Sequence, residues 1–425
     1  MATGDVARTV PPVVLFLQGP ISPFFPMLAV ALEAGGVRTL RVNLCVGDWL
    51  FWRRLGGLNF KGRQEDWPAY IHDLMAREGV THVVMLGEQR DYHKAAATAA
   101  EALGARVIAT DFGYLRPDWI AFEYDGLTGA SHMPKTADGI RALAEACPPV
   151  DLTPLFRDPF WAMAKADLLY HLSTWALWFL YPGYRSHHPN HPVITYWGMG
   201  LRMLLQNRRA REATKEIAAA ETADGPVFTF PLQIARDFSI RAYSPYPDLD
   251  MPIREVVQSF AANAPENARL IVKIHPMDPG LRSWRRGVMD AAEAGGVADR
   301  VRYIDGGDLA RLIDASAGVV VVNSTVGLLS LQHETPTIAL GQAVYNVPGL
   351  TASGGLDAFW KSPEAPDAEL TDAFMRAAAG AHMVRGTFYS EPGLTAGVKA
   401  AAARILENRV NQPMPSPTLT TEAAQ

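Results

Sequence analysis

The chain has little cysteine, no long apolar run and no strong bias of charge, and each shortage removes a class of protein. Two cysteines among 425 residues, Cys45 and Cys147, exclude a disulfide framework and a thiolate metal site, and they fit a reducing compartment. A formal net charge of -5 leaves no bulk attraction for nucleic acid, so no nucleic-acid partner is expected. The first twenty residues hold only a strand-length apolar run, 13–17, and too few basic residues for a secretory signal. The aromatic, nearly uncharged stretch 168–184 is interrupted by His171, Ser173 and Thr174 and ends at Pro182-Gly183, short of the ~20 apolar residues a spanning helix needs. It reads as a buried or interfacial helix. Its Trp and Tyr content and the flank Arg185-Ser186-His187-His188 suit either a domain interface or lipid headgroups. Also missing are a Walker-type phosphate loop, a dinucleotide-binding glycine fingerprint after the first strand, and a nucleophile elbow, which disfavours P-loop kinases, NAD enzymes and α/β-hydrolases.

What is present is an ordinary globular composition, 48% apolar and 20% charged, with length for two domains of roughly 200 residues each. Short apolar segments at 13–17, 37–44, 82–86 and 106–109 alternate with helical patterns at 67–78 and 92–103. From Pro226 the pattern restarts, with strands expected at 227–230, 270–274, 301–304, 318–322 and 337–340 and helices at 252–262, 287–294 and 309–315. Strands alternating with helices predict α/β architecture with parallel sheets covered on both faces. The expected organisation is therefore two doubly wound, Rossmann-like domains facing a cleft. Residues 1–150 form the first, 151–222 a helical aromatic-rich connector, 223–410 the second, and 411–425 a disordered tail.

In such domains ligands bind at the carboxyl ends of the strands, and polar motifs stand there. The run 319–322 breaks at Asn323-Ser324-Thr325-Val326-Gly327 and continues at helical spacing, giving strand, hydroxyl-bearing turn and helix N-terminus, a ready phosphate site. Ser324 or Thr325 as a plain helix cap is the competing explanation. On an earlier strand of the same half, period-2 alternation sends Lys273 and His275 to one side. There they supply a cation and an imidazole that donates to a phosphate oxygen or accepts a proton. Together these residues make a phosphate site more economical than separate solvated strand ends.

In the first half, Gln18 and Gly19 follow the strand 13–17, and the polar cluster Gly87-Glu88-Gln89-Arg90-Asp91-Tyr92-His93-Lys94 opens a helix. After 106–109 come Asp111, Arg116 and Glu123, expected to converge on one mouth of the cleft. Paired carboxylates supply nucleophile and acid/base roles in glycosyl chemistry.

Six motifs in order across roughly 13–351 make the chain resemble the bacterial capsule polysaccharide synthesis family, of the KpsS/LipB type. They are Gln18-Gly19-Pro20 with Phe24-Phe25; Gly113-Tyr114-Leu115-Arg116-Pro117; Phe230-Pro231-Leu232-Gln233; Lys273 with His275-Pro276-Met277-Asp278; Asn323-Ser324-Thr325-Val326-Gly327; and Tyr345-Asn346-Val347-Pro348-Gly349-Leu350. The resemblance implies a GT-B-like glycosyltransferase that takes Kdo, or a related acidic sugar, from a CMP-activated donor. The acceptor it implies is a phosphatidylglycerol-type lipid, with the protein cytoplasmic and peripheral to the inner membrane and other capsule assembly proteins as partners. It further implies retention of configuration by double displacement through an enzyme carboxylate.

Carried onto this chain, Lys273, His275, Asn323, Ser324, Thr325 and Gly327 bind the donor phosphate. Gln18, Gly19, Arg90, His93 and Gln233 border the acceptor or sugar, and Arg116 faces the sugar carboxylate with a planar fork. No cofactor or metal is required by this picture. One departure matters: two adjacent acids usually precede Gly-Tyr-Leu-Arg-Pro, and here Asp111 is followed by Phe112. Either Asp111 or Glu123 takes the nucleophile's role, or the chemistry is altered or lost. A non-catalytic capsule assembly or export factor, and a nucleotide-sugar epimerase, are the alternatives.

Overall fold

The computed structural model describes residues 12–187, 190–234 and 237–414. The chain runs through β1 (Val13–Phe16), α1 (Phe24–Ala34), β2 (Arg38–Asn43), α2 (Val46–Trp52), β3 (Leu58–Asn59), α3 (Trp67–Glu78), β4 (His82–Leu86), α4 (Asp91–Leu103), β5 (Arg106–Phe112) and β6 (Trp119–Tyr124). Helices α5 (Ala137–Ala146), α6 (Phe160–Ala176), α7 (Pro192–Leu204) and α8 (Gln206–Glu221) follow. Next come β7 (Val227–Pro231), α9 (Phe238–Tyr243), α10 (Asp250–Asn263), β8 (Arg269–Lys273), α11 (Trp284–Ala294), β9 (Val301–Ile304), α12 (Leu309–Asp314), β10 (Gly318–Val321), α13 (Val326–Gln332) and β11 (Thr337–Ala339). The chain closes with α14 (Leu356–Phe359), α15 (Ala368–Ala377), β12 (Met383–Arg385) and α16 (Gly393–Leu406).

One sheet has the order β12-β6-β5-β4-β1-β2-β3, parallel from β5 through β3 and antiparallel at β5/β6 and β6/β12. Side-chain alternation explains why it is covered on both faces. Val14 and Phe16 pack with α1 and α16 on one side, while Val13 and Leu15 pack with α3 and α4 on the other. The second sheet, β11-β10-β7-β8-β9, is parallel throughout. Phe228, Leu270 and Val320 meet α10 and α11 on one face; Val227, Ile271 and Ile304 meet α8 and α12 on the other. The α/β class with two Rossmann-like sheets is thus as expected, and the expected strands agree with the observed ones within one to three residues.

The division of the chain is not the expected one. The described part of the first unit comprises 12–127, 152–187 and 382–412; that of the second comprises 128–151 and the chain from 190 to 381. The expected connector 151–222 is therefore split, with α6 docking on α2 and α7 and α8 joining the second sheet. The expected second domain, 223–410, loses its end, because β12 pairs antiparallel with β6 (Met383 opposite Ala121). There Arg404, buried in α16, donates through Nη2 to the Met383 carbonyl at 2.9 Å. Residues 128–151 go to the second unit, where Arg376 donates to the Cys147 carbonyl at 2.8 Å. Most of the tail expected to be disordered, from 415 onward, and His188 of the basic flank lie outside the described residues.

Candidate functional site

Each sheet reverses direction beside its first strand, and a crevice at the carboxyl ends opens there. In the second unit β7 is flanked by β8 and β10, so Gln233, Lys273, His275 and 323–325 all lie at strand ends on that side. With strands about 4.8 Å apart, the ends of β8 and β10 stand roughly 10 Å from each other across β7.

Lys273 is 7% exposed, and among the described residues its ammonium has no hydrogen bond or ion pair. Burial pulls its pKa below the usual lysine value, and Asp305 pulls the other way. The Asp305 carboxylate itself is already held by Arg202 at 2.5 Å and Arg209 at 2.9 Å. A nearly buried cation left without a protein partner is costly, and an anionic ligand would relieve that cost.

His275, half-buried, has its protonation geometry set by the chain. Met277 N–H donates to its Nδ1 at 3.0 Å, which leaves the ring proton on Nε2. Its pKa is lowered, by burial first, with Asp237 and Asp278 opposing. His275 therefore offers a neutral N–H donor, and of the two roles expected for it the geometry favours donation. Asp278 builds the loop, accepting from Gly280 N at 2.8 Å and Trp284 Nε1 at 3.1 Å.

The turn after β10 is more structural than its sequence implies. Asn323 spends its amide on Gln233 and Ser239: Gln233 Nε2 donates to Asn323 Oδ1 at 2.9 Å, and Asn323 Nδ2 donates to the Ser239 carbonyl at 2.8 Å. Gln233, expected among the acceptor-side residues, thus belongs with Asn323 at the end of β7. Ser324 Oγ accepts from Val326 N at 3.2 Å, and Tyr345 Oη donates to the Ser324 carbonyl. Gly327 is required by that tyrosine, since a Cβ would stand 2.1 Å from its hydroxyl. The helix after the turn, α13, has seven residues, so its dipole adds little and the side chains carry the charge. The Thr325 hydroxyl makes no cap.

In the first unit the reversal falls between β1 and β4, which brings Gln18-Gly19 and 87–93 to adjoining strand ends. Gln18 is buried in a polar network that joins α2 to α6. Its Nε2 donates to Asp48 at 3.2 Å and Tyr170 Oη at 3.0 Å; Tyr170 donates to Asp48 at 2.9 Å, and Arg41 lies 3.4 Å from Asp48. The amide nitrogen expected to face a ligand is consumed in holding α6. Gly19 admits the Phe25 ring, 2.3 Å from where a Cβ would be. His93 is fully buried. Its ring Nδ1 donates to the Gly87 carbonyl at 2.6 Å, and Nε2 has no partner. Burial, reinforced by Arg90 and Arg41, brings its pKa down to about 3, so it is a neutral acceptor.

The expected convergence of Asp111, Arg116 and Glu123 is not what the strands produce. β5 continues to Phe112 and returns as β6, with Ala109 opposite Glu123 and Asp111 opposite Ala121. The two carboxylates share a face of the hairpin. Glu123, however, is fully buried, accepting from Tyr114 Oη at 2.6 Å and paired with His382 Nδ1 at 2.8 Å. It is an internal acceptor and is removed from any open mouth. His382, 259 positions away, was invisible to motif reasoning; the aromatic run Trp-Ile-Ala-Phe-Glu-Tyr at 119–124 was a strand signal that went unread. Asp111 is half-buried, and its Oδ1 accepts from Phe112 N at 2.7 Å. Exposed Arg116 lies over the Phe112 ring at 4.9 Å. Phe112 points away from Asp111's face and packs edge-on to Phe388 at 5.3 Å and flat on Tyr389 at 6.4 Å. Among the described residues no cluster of three or more His, Cys, Asp or Glu side chains is arranged to hold a metal.

The family model described as "Capsule polysaccharide biosynthesis protein" matches residues 81–389. The capsule polysaccharide export protein KpsS of Escherichia coli is 30% identical over 367 residues, covering 85% of this chain and 92% of that protein. The capsule polysaccharide modification protein LipB of Neisseria meningitidis serogroup B is 30% identical over 393 residues, 89% and 92% respectively. Among solved structures, the KpsC beta Kdo 2,7 transferase of Thermosulfurimonas dismutans aligns with 93% of this chain and 99% of that one, at 14% identity and a TM-score of 0.42; at that score the likeness decides nothing.

Proposed function

Because this chain belongs to the capsule polysaccharide biosynthesis family, we propose that it is a glycosyltransferase of capsule assembly, moving Kdo or a related acidic sugar from a CMP-activated donor to a lipid acceptor. The observation that carries this reading is Lys273: a nearly buried ammonium without a protein partner, at the end of β8 with the His275 donor and across β7 from the Ser324-Thr325 hydroxyls. One charge-assisted and several neutral hydrogen bonds suit a phosphate leaving group.

In this reading Lys273 and His275 take the CMP phosphate, and Asp111 is the candidate nucleophile, Glu123 being enclosed. Retention then follows from two displacements. The Asp111 carboxylate attacks the anomeric carbon as the bond to phosphate breaks and CMP leaves with the electron pair. The acceptor hydroxyl next displaces Asp111, its proton passing to the freed carboxylate. Arg116, exposed and planar, pairs with the sugar carboxylate.

Exposed Trp161, Trp175, Trp178 and Phe179 on and just after α6 support a peripheral seat at the inner membrane. Among the described residues no helix is long and apolar enough to cross a membrane. A second reading, a non-catalytic assembly or export factor, is favoured by Phe112 standing in an aromatic cluster where the resemblance has an acid.

Calorimetry with CMP and turnover of CMP-Kdo with a lipid acceptor mimic test both readings. CMP binding with turnover that Asp111→Asn abolishes supports the enzyme. CMP binding without turnover supports the factor, and absence of both overturns the donor-site assignment.

A further inference from the structure

Helix α7 turns its apolar side outward. Its inner side is marked by Gly198, where a Cβ would stand 2.6 Å from the Pro279 carbonyl oxygen, and by Arg202 one turn later. At 100° per residue the flank of Gly198 away from Arg202, an arc of about 120°, carries Val193, Ile194, Trp197, Leu201, Leu204 and, just past the helix end, Leu205, all exposed, Trp197 by 65% and Leu204 by 81%. A continuous apolar stripe of this size marks a surface that something covers.

Charge identifies the occupant. From 168 to 211 the chain has no Asp or Glu and five arginines (185, 202, 208, 209 and 211), although its net charge is -5. Arg202 and Arg209 share Asp305, and Arg185 lies 3.4 Å from Glu65; Arg208, bonded to Glu212 at 3.0 Å, and Arg211 lie exposed just past the end of α7. An apolar arc with a tryptophan, continued by arginines, is the pattern of a helix lying in an anionic bilayer interface. A second copy of the chain would instead set these arginines against one another across a two-fold axis.

The inner side of α7 leads to the candidate phosphate loop. Arg202 donates through Nη1 to the carbonyls of His275 at 3.1 Å, Pro276 at 3.2 Å and Asp278, and its Nε and Nη2 hold Asp305 at 3.2 and 2.5 Å. We propose that α7 seats on an anionic lipid surface and that Arg202 carries this seating into the loop after β8, ordering it when lipid is engaged. The seating stands on α7 alone; its consequence for the donor rests on the reading of Lys273 and His275 given above.

The full chain is sedimented with vesicles of phosphatidylglycerol in phosphatidylcholine, and with phosphatidylcholine alone. Binding to the anionic vesicles is expected to be about tenfold tighter, at about 1 kcal/mol per arginine near the surface, and to weaken with salt. The double change Leu201→Ser/Leu204→Ser is expected to weaken it about tenfold or more through lost apolar burial, with an unchanged melting temperature. Equal binding by both vesicle types, or by both proteins, overturns the seating. So does a wild-type dimer that the double variant turns into a monomer without vesicle binding. Hydrogen exchange of the amides at 275–281 is expected to slow several-fold on anionic vesicles, and Arg202→Lys, which keeps the charge but not the fork, is expected to abolish that slowing. Unchanged exchange in the wild type overturns the relay. CMP affinity measured alongside separates the two ideas: absence of CMP binding in every state sinks the donor-site reading and leaves the vesicle and exchange results standing.

Discussion

Gln233 and Asn323 clasp one another across the ends of β7 and β10. Nε2 of the glutamine donates to Oδ1 of the asparagine at 2.9 Å, and the asparagine's backbone N–H donates to Oε1 of the glutamine at 3.3 Å. The clasp fixes where the Ser324-Thr325 hydroxyls stand relative to the end of β7, and it makes two polar motif residues scaffolding.

Asn323→Ala leaves a buried Gln233 amide with fewer partners, a loss of about 1–3 kcal/mol. Urea unfolding of Asn323→Ala, Gln233→Ala and the double variant should give strongly non-additive costs. Additive losses would show that the pair does not act as a unit.

Replacing Lys273 by Met removes an unpartnered buried charge while keeping the stem's packing. The melting temperature should hold or rise. CMP affinity should fall about 10- to 100-fold, the worth of a charge-assisted hydrogen bond of about 1.5–3 kcal/mol. Unaltered CMP affinity, read by calorimetry, would remove Lys273 from the donor site.

The two hairpin carboxylates should separate by readout. Glu123→Gln keeps the shape but disturbs the bonds with Tyr114 and His382, so a stability loss of about 1–3 kcal/mol is expected, with CMP binding retained. Asp111→Asn should leave the melting curve in place and abolish turnover. A stable Glu123→Gln protein without turnover would return Glu123 to the chemistry.

His93 makes the fold acid-sensitive. Its folded pKa is about 3. The unfolded chain titrates near 6.5 and so binds the extra proton between these values, and stability must fall as pH drops through that window, by up to about 1.4 kcal/mol per unit. Above about pH 7 the contribution is constant. Unfolding free energies of wild type and His93→Gln at about pH 7.5 and about pH 5 should show a shallower loss in the variant. Equal slopes would place the acid sensitivity elsewhere.

Much of the fold was legible because parallel strands covered on both faces are written as unbroken apolar runs. Val83, Val84 and Met85 are all buried, and His82–Leu86 and Trp67–Glu78 were read with their observed limits. That Lys273, His275 and 323–325 stand at strand ends on one side of a single sheet was legible for a related reason: strand alternation and the strand-end rule need only local sequence. The roles within the cluster were not. Asn323, Gln233 and Gln18 carry the same amide whether it meets a ligand or a neighbouring strand.

By itself, then, the sequence determined the α/β class, the strand and helix order, the family resemblance and the strand ends where polar groups gather, since each depends on residues close together in the chain. Tertiary structure alone decided that β12 and α16 return to the first sheet, that His382 closes over Glu123, that Phe112 packs on Phe388 and Tyr389, and that Arg202 ties an apolar helix to the Lys273 loop. Those are pairings between segments tens to hundreds of residues apart. They are set by which surfaces remain to be buried and which buried polar atoms remain to be satisfied once the local elements exist.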